Sequence, residues 1–132
     1  MALILDTRFL IAHTFPPTER DREKIREFVV RRADEGFVIP AVVVAEFIKV
    51  AGRRLGSEGA EVRLRVWISS GAKVAPIDER VALEAGRVAL ARGVPLADAL
   101  VAAVAKSTGG VVVSDDPHFR ELGVRTTWYK RV

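Results

Sequence analysis

A chain of 132 residues is long enough for one domain with a real core and too short for two independent ones, so residues 1–132 are expected to form a single domain. A composition 49% hydrophobic and 29% charged excludes disorder over most of the length, and the absence of cysteine excludes disulfides, thiolate metal sites and a cysteine nucleophile. No run approaches the roughly 18 apolar residues that span a bilayer, and the first apolar stretch is too short for a signal peptide; a cytoplasmic protein is expected, and its net charge of +4 favours an acidic partner.

From the start, Ala2 to Leu5 reads as a short strand buried on both faces and ending in Asp6. A helix is predicted from Thr18, its cap, to about Asp34, with Ile25, Phe28, Val29 and Ala33 on its apolar face. Gly36 stops it, Phe37 to Ile39 forms a second strand, and Pro40 opens a helix to about Gly52. Ser57 to Ser69 is predicted helical, Lys73 to Ile77 a third strand, Asp78 to Arg92 a helix ended by Gly93, and Pro95 to Lys106 another. Val111 to Val113 is the clearest buried strand; a Ser-Asp-Asp-Pro turn, a short helix near Phe119 and a closing strand, Val124 to Trp128, follow. Short buried strands alternating with helices predict a parallel sheet sandwiched by helices.

Most carboxylates lie in Arg- and Lys-rich stretches and read as solvated helix faces, but four do not. Asp98 sits in Pro-Leu-Ala-Asp-Ala-Leu-Val-Ala-Ala-Val-Ala, a helix apolar all round, where an ionised carboxylate needs a partner. Glu46 has a similar setting, with Lys49 its one local partner. Asp6 and the Asp115-Asp116 pair directly follow strands, where ligands gather in open parallel sheets. Taken singly, each has a structural alternative: helix-dipole complementation for Asp98, an ion pair with Lys49 for Glu46, and helix capping for Asp6 and Asp116.

If the four converge, repulsion becomes the test. Two charges about 4 Å apart at an effective dielectric near 20 cost roughly 4 kcal/mol, and three such pairs about 12, which rivals the stability of a whole domain. The cluster must then take up protons or bind cations. Oxygen ligands favour hard divalent ions such as Mg2+ or Mn2+; His13 and His118 are too few and too ordinarily placed to suggest a zinc site.

At these positions the sequence resembles the PIN-domain family, in particular the VapC-type toxins of toxin-antitoxin pairs. The resemblance covers nearly the whole chain and rests on Leu-Ile-Leu-Asp-Thr at the start, Val-Val-Ala-Glu-Phe around Glu46, the helix around Asp98, and Val-Val-Val-Ser-Asp-Asp-Pro-His-Phe near the end. It implies a PIN-like α/β three-layer sandwich with a sheet of about five strands in the order 3-2-1-4-5. It also implies a homodimer, a small antitoxin as partner, and RNA as substrate. Position by position, it makes Asp6, Glu46 and Asp98 the principal metal-site acids and Asp116 the fourth. Ser114 and Thr7 match hydroxyl positions beside them, and Asp115 takes the variable place, though adjacency keeps the choice between Asp115 and Asp116 open.

The mechanism so implied uses one or two Mg2+ or Mn2+ ions to activate water for attack on an RNA phosphodiester. Thr7 is expected to orient Asp6 or a phosphate, with helix capping as its alternative. Lys49, Arg53 and Arg54 are candidates for phosphate contact, and Trp67, Trp128 and Tyr129 for base stacking or, alternatively, core packing. A phosphoacceptor receiver fits poorly because Thr7, not a second acid, follows Asp6; an aspartate-nucleophile phosphatase fits poorly because position 8 is Arg. The alternatives retained are a non-catalytic PIN-like RNA-binding or assembly module and a housekeeping RNA-processing nuclease.

Overall fold

Three short apolar runs set the middle of the sheet. In the computed structural model, which describes residues 1–130, these are β1 (Leu3–Leu5), β2 (Phe37–Pro40) and β4 (Val111–Val113). Together with β3 (Lys73–Ala75) and β5 (Thr126–Thr127) they form one parallel five-stranded sheet in the order β3-β2-β1-β4-β5. Leu3, Ile4 and Leu5 are fully buried because both faces of the central strand are covered by helices.

The helices are α1 (Thr7–Thr14), α2 (Glu19–Arg32), α3 (Ala41–Ser69), α4 (Glu79–Arg92), α5 (Leu96–Thr108) and α6 (His118–Glu121). Thr18 caps α2 by accepting the Asp21 backbone N–H, and Asp78 caps α4 through that of Val81. The two helices expected here are both present within α3, divided at Gly56, whose φ of 76° and ψ of 162° lie outside the helical range; the first runs past its expected end at Gly52. Helix α1 was not anticipated from the sequence. The expected closing strand narrows to Thr126–Thr127, with Trp128 and Tyr129 buried beyond it. Among the described residues no helix is long and apolar enough to cross a membrane.

One packing detail fixes the centre of the sheet. Val111 N donates to Ala2 O at 3.0 Å, and a side chain at Gly110 would meet Ala2 O at 2.8 Å and Ile4 at 2.9 Å. Glycine at 110 therefore lets β4 enter in register beside β1, pairing Leu3, Ile4 and Leu5 with Val111, Val112 and Val113.

Candidate metal centre

That register dictates the site. Where Leu5 pairs with Val113, the next residues, Asp6 and Ser114, leave the two strands side by side. Asp6 N donates to Val113 O at 3.3 Å, and Ser114 Oγ donates to Asp6 Oδ2 at 2.7 Å. Both residues are buried, Asp6 at 4% exposure and Ser114 at 0%. Asp6 stands at the N-cap of α1, yet its side chain makes no capping hydrogen bond. Its carboxylate is directed to the sheet end.

The other acids arrive on separate elements. Asp98, in the first turn of α5, and Asp116, in the turn after β4, meet at one imidazole: His118 Nδ1 lies 3.0 Å from Asp98 Oδ2 and 3.1 Å from Asp116 Oδ1. Asp116 also accepts the His118 backbone N–H at 2.9 Å in a turn that leads into α6, whose N-cap is Pro117, so this local bond coexists with the place of Asp116 in the cluster. Ser114 Oγ accepts the Asp116 N–H at 3.1 Å, which joins Asp116 to the Asp6 side through a single hydroxyl. Glu46, half-buried on α3, accepts the Thr7 hydroxyl at 2.7 Å, a different partner from the Lys49 of the structural alternative. Thr7 thus orients Glu46, not Asp6 as anticipated.

The pair of adjacent aspartates separates cleanly. Asp115 turns outward to Arg8, whose Nε donates to Asp115 Oδ1 at 2.6 Å, while Asp116 faces Asp98 and His118. A cleft of about 490 Å³ bordered by Thr7, Arg8, Phe15 and Asp115 opens on this side. Trp67, Trp128 and Tyr129 are buried in the core, so packing accounts for them, and the Arg54 guanidinium lies 3.9 Å over the Phe15 ring.

Burial pushes the Asp6 carboxyl up to about 6, and the charges of Asp98 and Glu46 add to the shift; hydrogen bonds from Ser114 and the Thr7 amide oppose it. Asp98 is raised too, by burial first and by Asp116 next, while His118 acts in the opposite direction. The four acids therefore sense one another as a single cluster. Loss of water outweighs repulsion for both shifted groups, the reverse of the weighting suggested by charge separation alone.

The residues fit a divalent cation. One donor atom from each of Asp98, Asp116 and His118 lies within 4.8 Å of the others, and the buried carboxyl beside them resists ionisation, as it should where a cation would be stabilising. His118 is the member that sequence reasoning set aside. Its position two residues beyond Asp116, across the first turn of α6, is the signal that the two side chains share a site.

The family profile described as PIN domain matches residues 3–124. The chain belongs to the PIN domain family. It is similar to DNA-bound VapBC from Salmonella typhimurium, with 26% identity, a TM-score of 0.76 and 98% of each chain covered. VapBC2 from Rickettsia felis, bound to a promoter DNA fragment, is 14% identical with a TM-score of 0.77, covering 97% of this chain and 98% of that one. VapC20 of Mycobacterium tuberculosis, a toxin that cleaves the sarcin-ricin loop, is 17% identical with a TM-score of 0.75, covering 92% and 95%. The likeness to the latter two is one of fold. No curated protein matches this PIN domain in sequence.

Proposed function

We propose that this PIN domain, one domain over residues 1–132, is a metal-dependent endoribonuclease acting as the toxin of a toxin-antitoxin pair. The observation that carries the reading is the convergence of Asp6, Glu46, Asp98 and Asp116 from four separate segments on one sheet end, with Asp6 buried. The toxin assignment draws on the similarity to VapBC and VapC20 structures. A small antitoxin protein, a homodimeric state and a cytoplasmic setting belong to the same proposal.

The four acids would hold one or two Mg2+ or Mn2+ ions. Such ions, when bound, lower the proton affinity of water and offset charge on a leaving phosphate oxygen. The chain's own groups have distinct tasks. Ser114 fixes the Asp6 carboxylate, and its second contact, to the Asp116 amide, keeps the two strand-end acids in constant relation. Thr7 holds Glu46, which leaves that carboxylate's other oxygen free to orient water or accept a proton. Exposed Lys49 and Arg53, beyond Glu46 on α3, are placed to follow an RNA backbone. Arg8 is held beside the site by Asp115, as an exchangeable phosphate contact.

The test is cleavage of structured RNA by the wild type and by Asp6→Asn, with and without Mg2+ or Mn2+. Metal-dependent product from the wild type and none from a folded Asp6→Asn protein is expected. Cleavage unchanged in Asp6→Asn would sink the mechanism, and RNA retention with no metal-dependent product would indicate a binding module.

A further inference from the structure

The metal-site acids of the proposed function are all oxygen donors, but the structure adds a nitrogen. We propose that His118 is itself a metal ligand through Nδ1, so that this centre is a mixed nitrogen-oxygen site that prefers first-row transition ions such as Mn2+ to Mg2+. The inference rests on the metal-dependent reading above and concerns only which atoms hold the ion and which ion they select.

The geometry is specific. Bonds of about 2.1 Å, normal for a small divalent ion, set neighbouring corners of an octahedron about 3.0 Å apart. His118 Nδ1 stands 3.0 Å from Asp98 Oδ2 and 3.1 Å from Asp116 Oδ1, so the nitrogen lies at the spacing of an adjacent corner from each of the two oxygens. The same distances suit a ring proton shared between the carboxylates. One nitrogen cannot donate and ligate at once; an ion takes the place of that proton, and the remaining ring proton sits on Nε2.

His118 is held for this task from two directions. Its backbone N–H donates to Asp116 Oδ1, which ties the start of α6 to a co-ligand. The next residue, Phe119, is fully buried and anchors the short helix in the core. The His118 side chain is 41% exposed, so its orientation is set by the contacts of Nδ1 with the acids more than by enclosure in the core.

The chemical consequence is selectivity. Mg2+ keeps its waters and favours oxygen, whereas imidazole suits transition ions, so one nitrogen among the donors shifts preference toward the latter. Asp6 and Glu46, outside the trio, remain available for water or a second ion.

The experiment uses the full chain freed of metal by a chelator, with Mn2+ and Mg2+ as probes. Mn2+ bound to the wild type should show electron-nuclear coupling to nitrogen that changes when histidine is labelled with 15N. The chain has only two histidines, so His118→Gln should abolish that coupling and His13→Phe should leave it intact. His118→Gln should also weaken Mn2+ binding by calorimetry roughly tenfold or more while changing Mg2+ binding less. Mn2+ bound with no histidine-nitrogen coupling in the wild type overturns the inference and leaves the metal-dependent function standing. Failure of the wild type to bind Mn2+ or Mg2+ at all overturns both. The wild-type spectrum decides the matter even if His118→Gln were poorly folded.

Discussion

An ionisable side chain stands near each end of helix α1, Asp6 buried and His13 half-buried, and the surroundings treat them in opposite ways. Asp6, just before the first turn, accepts from Ser114 and shares its space with Asp98 and Glu46. His13, near the last turn, has a buried Nδ1 with no hydrogen-bond partner and lies 4.8 Å from the Trp67 ring centroid and 6.4 Å from that of Phe9. Burial drives both toward neutrality, the carboxyl up to about 6 and the imidazole down to about 4, the latter aided by Arg63. Only one end offers donors for a charge and further acids to share a cation. Desolvation alone marks a core residue; desolvation with convergent partners marks a site.

The comparison breaks first on activity. Asp6→Asn should lower metal-dependent RNA cleavage by roughly three orders of magnitude, about 4 kcal/mol of transition-state stabilisation, whereas His13→Phe should leave it within about twofold. Single-turnover rates on one RNA check both.

A smaller effect is expected at the His13 end. Its folded pKa lies below the unfolded value, so between about 6.5 and 4 the unfolded chain binds more protons and stability falls as pH falls through that window. With allowance for partial exposure the loss is about 2 kcal/mol. Urea midpoints of the wild type and His13→Phe at pH 7 and pH 4.5 should reveal it as a drop that the variant lacks; an equal drop in both would deny that His13 is held neutral.

Ser114→Ala comes next, at about 1–2 kcal/mol, because it removes a donor to a buried carboxylate. It should also raise the Asp6 carboxyl further, which a carbon-13 NMR titration of that group reads directly. The smallest change is expected from Arg8→Ala. That ion pair with Asp115 is largely exposed and is worth about 0.5 kcal/mol or less to stability by thermal melting.

Much of this architecture was legible in the residues. Leu-Ile-Leu and Val-Val-Val are apolar on both faces and can only be central strands, and the buried helix around Asp98 announced itself by having no polar face. The strand order came from the family resemblance, since spacing says little about which strands pair. Helix α1 has no predicted bounds because it is only eight residues long and isolated helical signals that short are weak, although helix capping is an alternative for Asp6 and Thr7. Glu46 was found by its apolar setting, but its partner Thr7 lies 39 residues away and no local pattern connects them. His118 was set aside because its meeting with Asp98 depends on how α5 and α6 pack, a tertiary fact. The Asp115 and Asp116 choice likewise needed the path of the turn.

The central claim, that the strand-end acids are a cluster completed by a cation, is tested most directly by melting the wild type and Asp6→Asn side by side without metal and with saturating Mn2+ at pH 7.5. A folded pKa raised from 3.8 to about 6 means that the native state binds the proton more tightly, so stability falls as pH rises through that window and the cost is complete above it. Without metal, Asp6→Asn should therefore be the more stable protein, by about 3 kcal/mol. Mn2+ at 100 times its dissociation constant should stabilise the wild type by about 2.7 kcal/mol and the variant far less, closing or inverting the gap. A wild type that is the more stable of the two without metal, or that does not respond to Mn2+, would contradict the account.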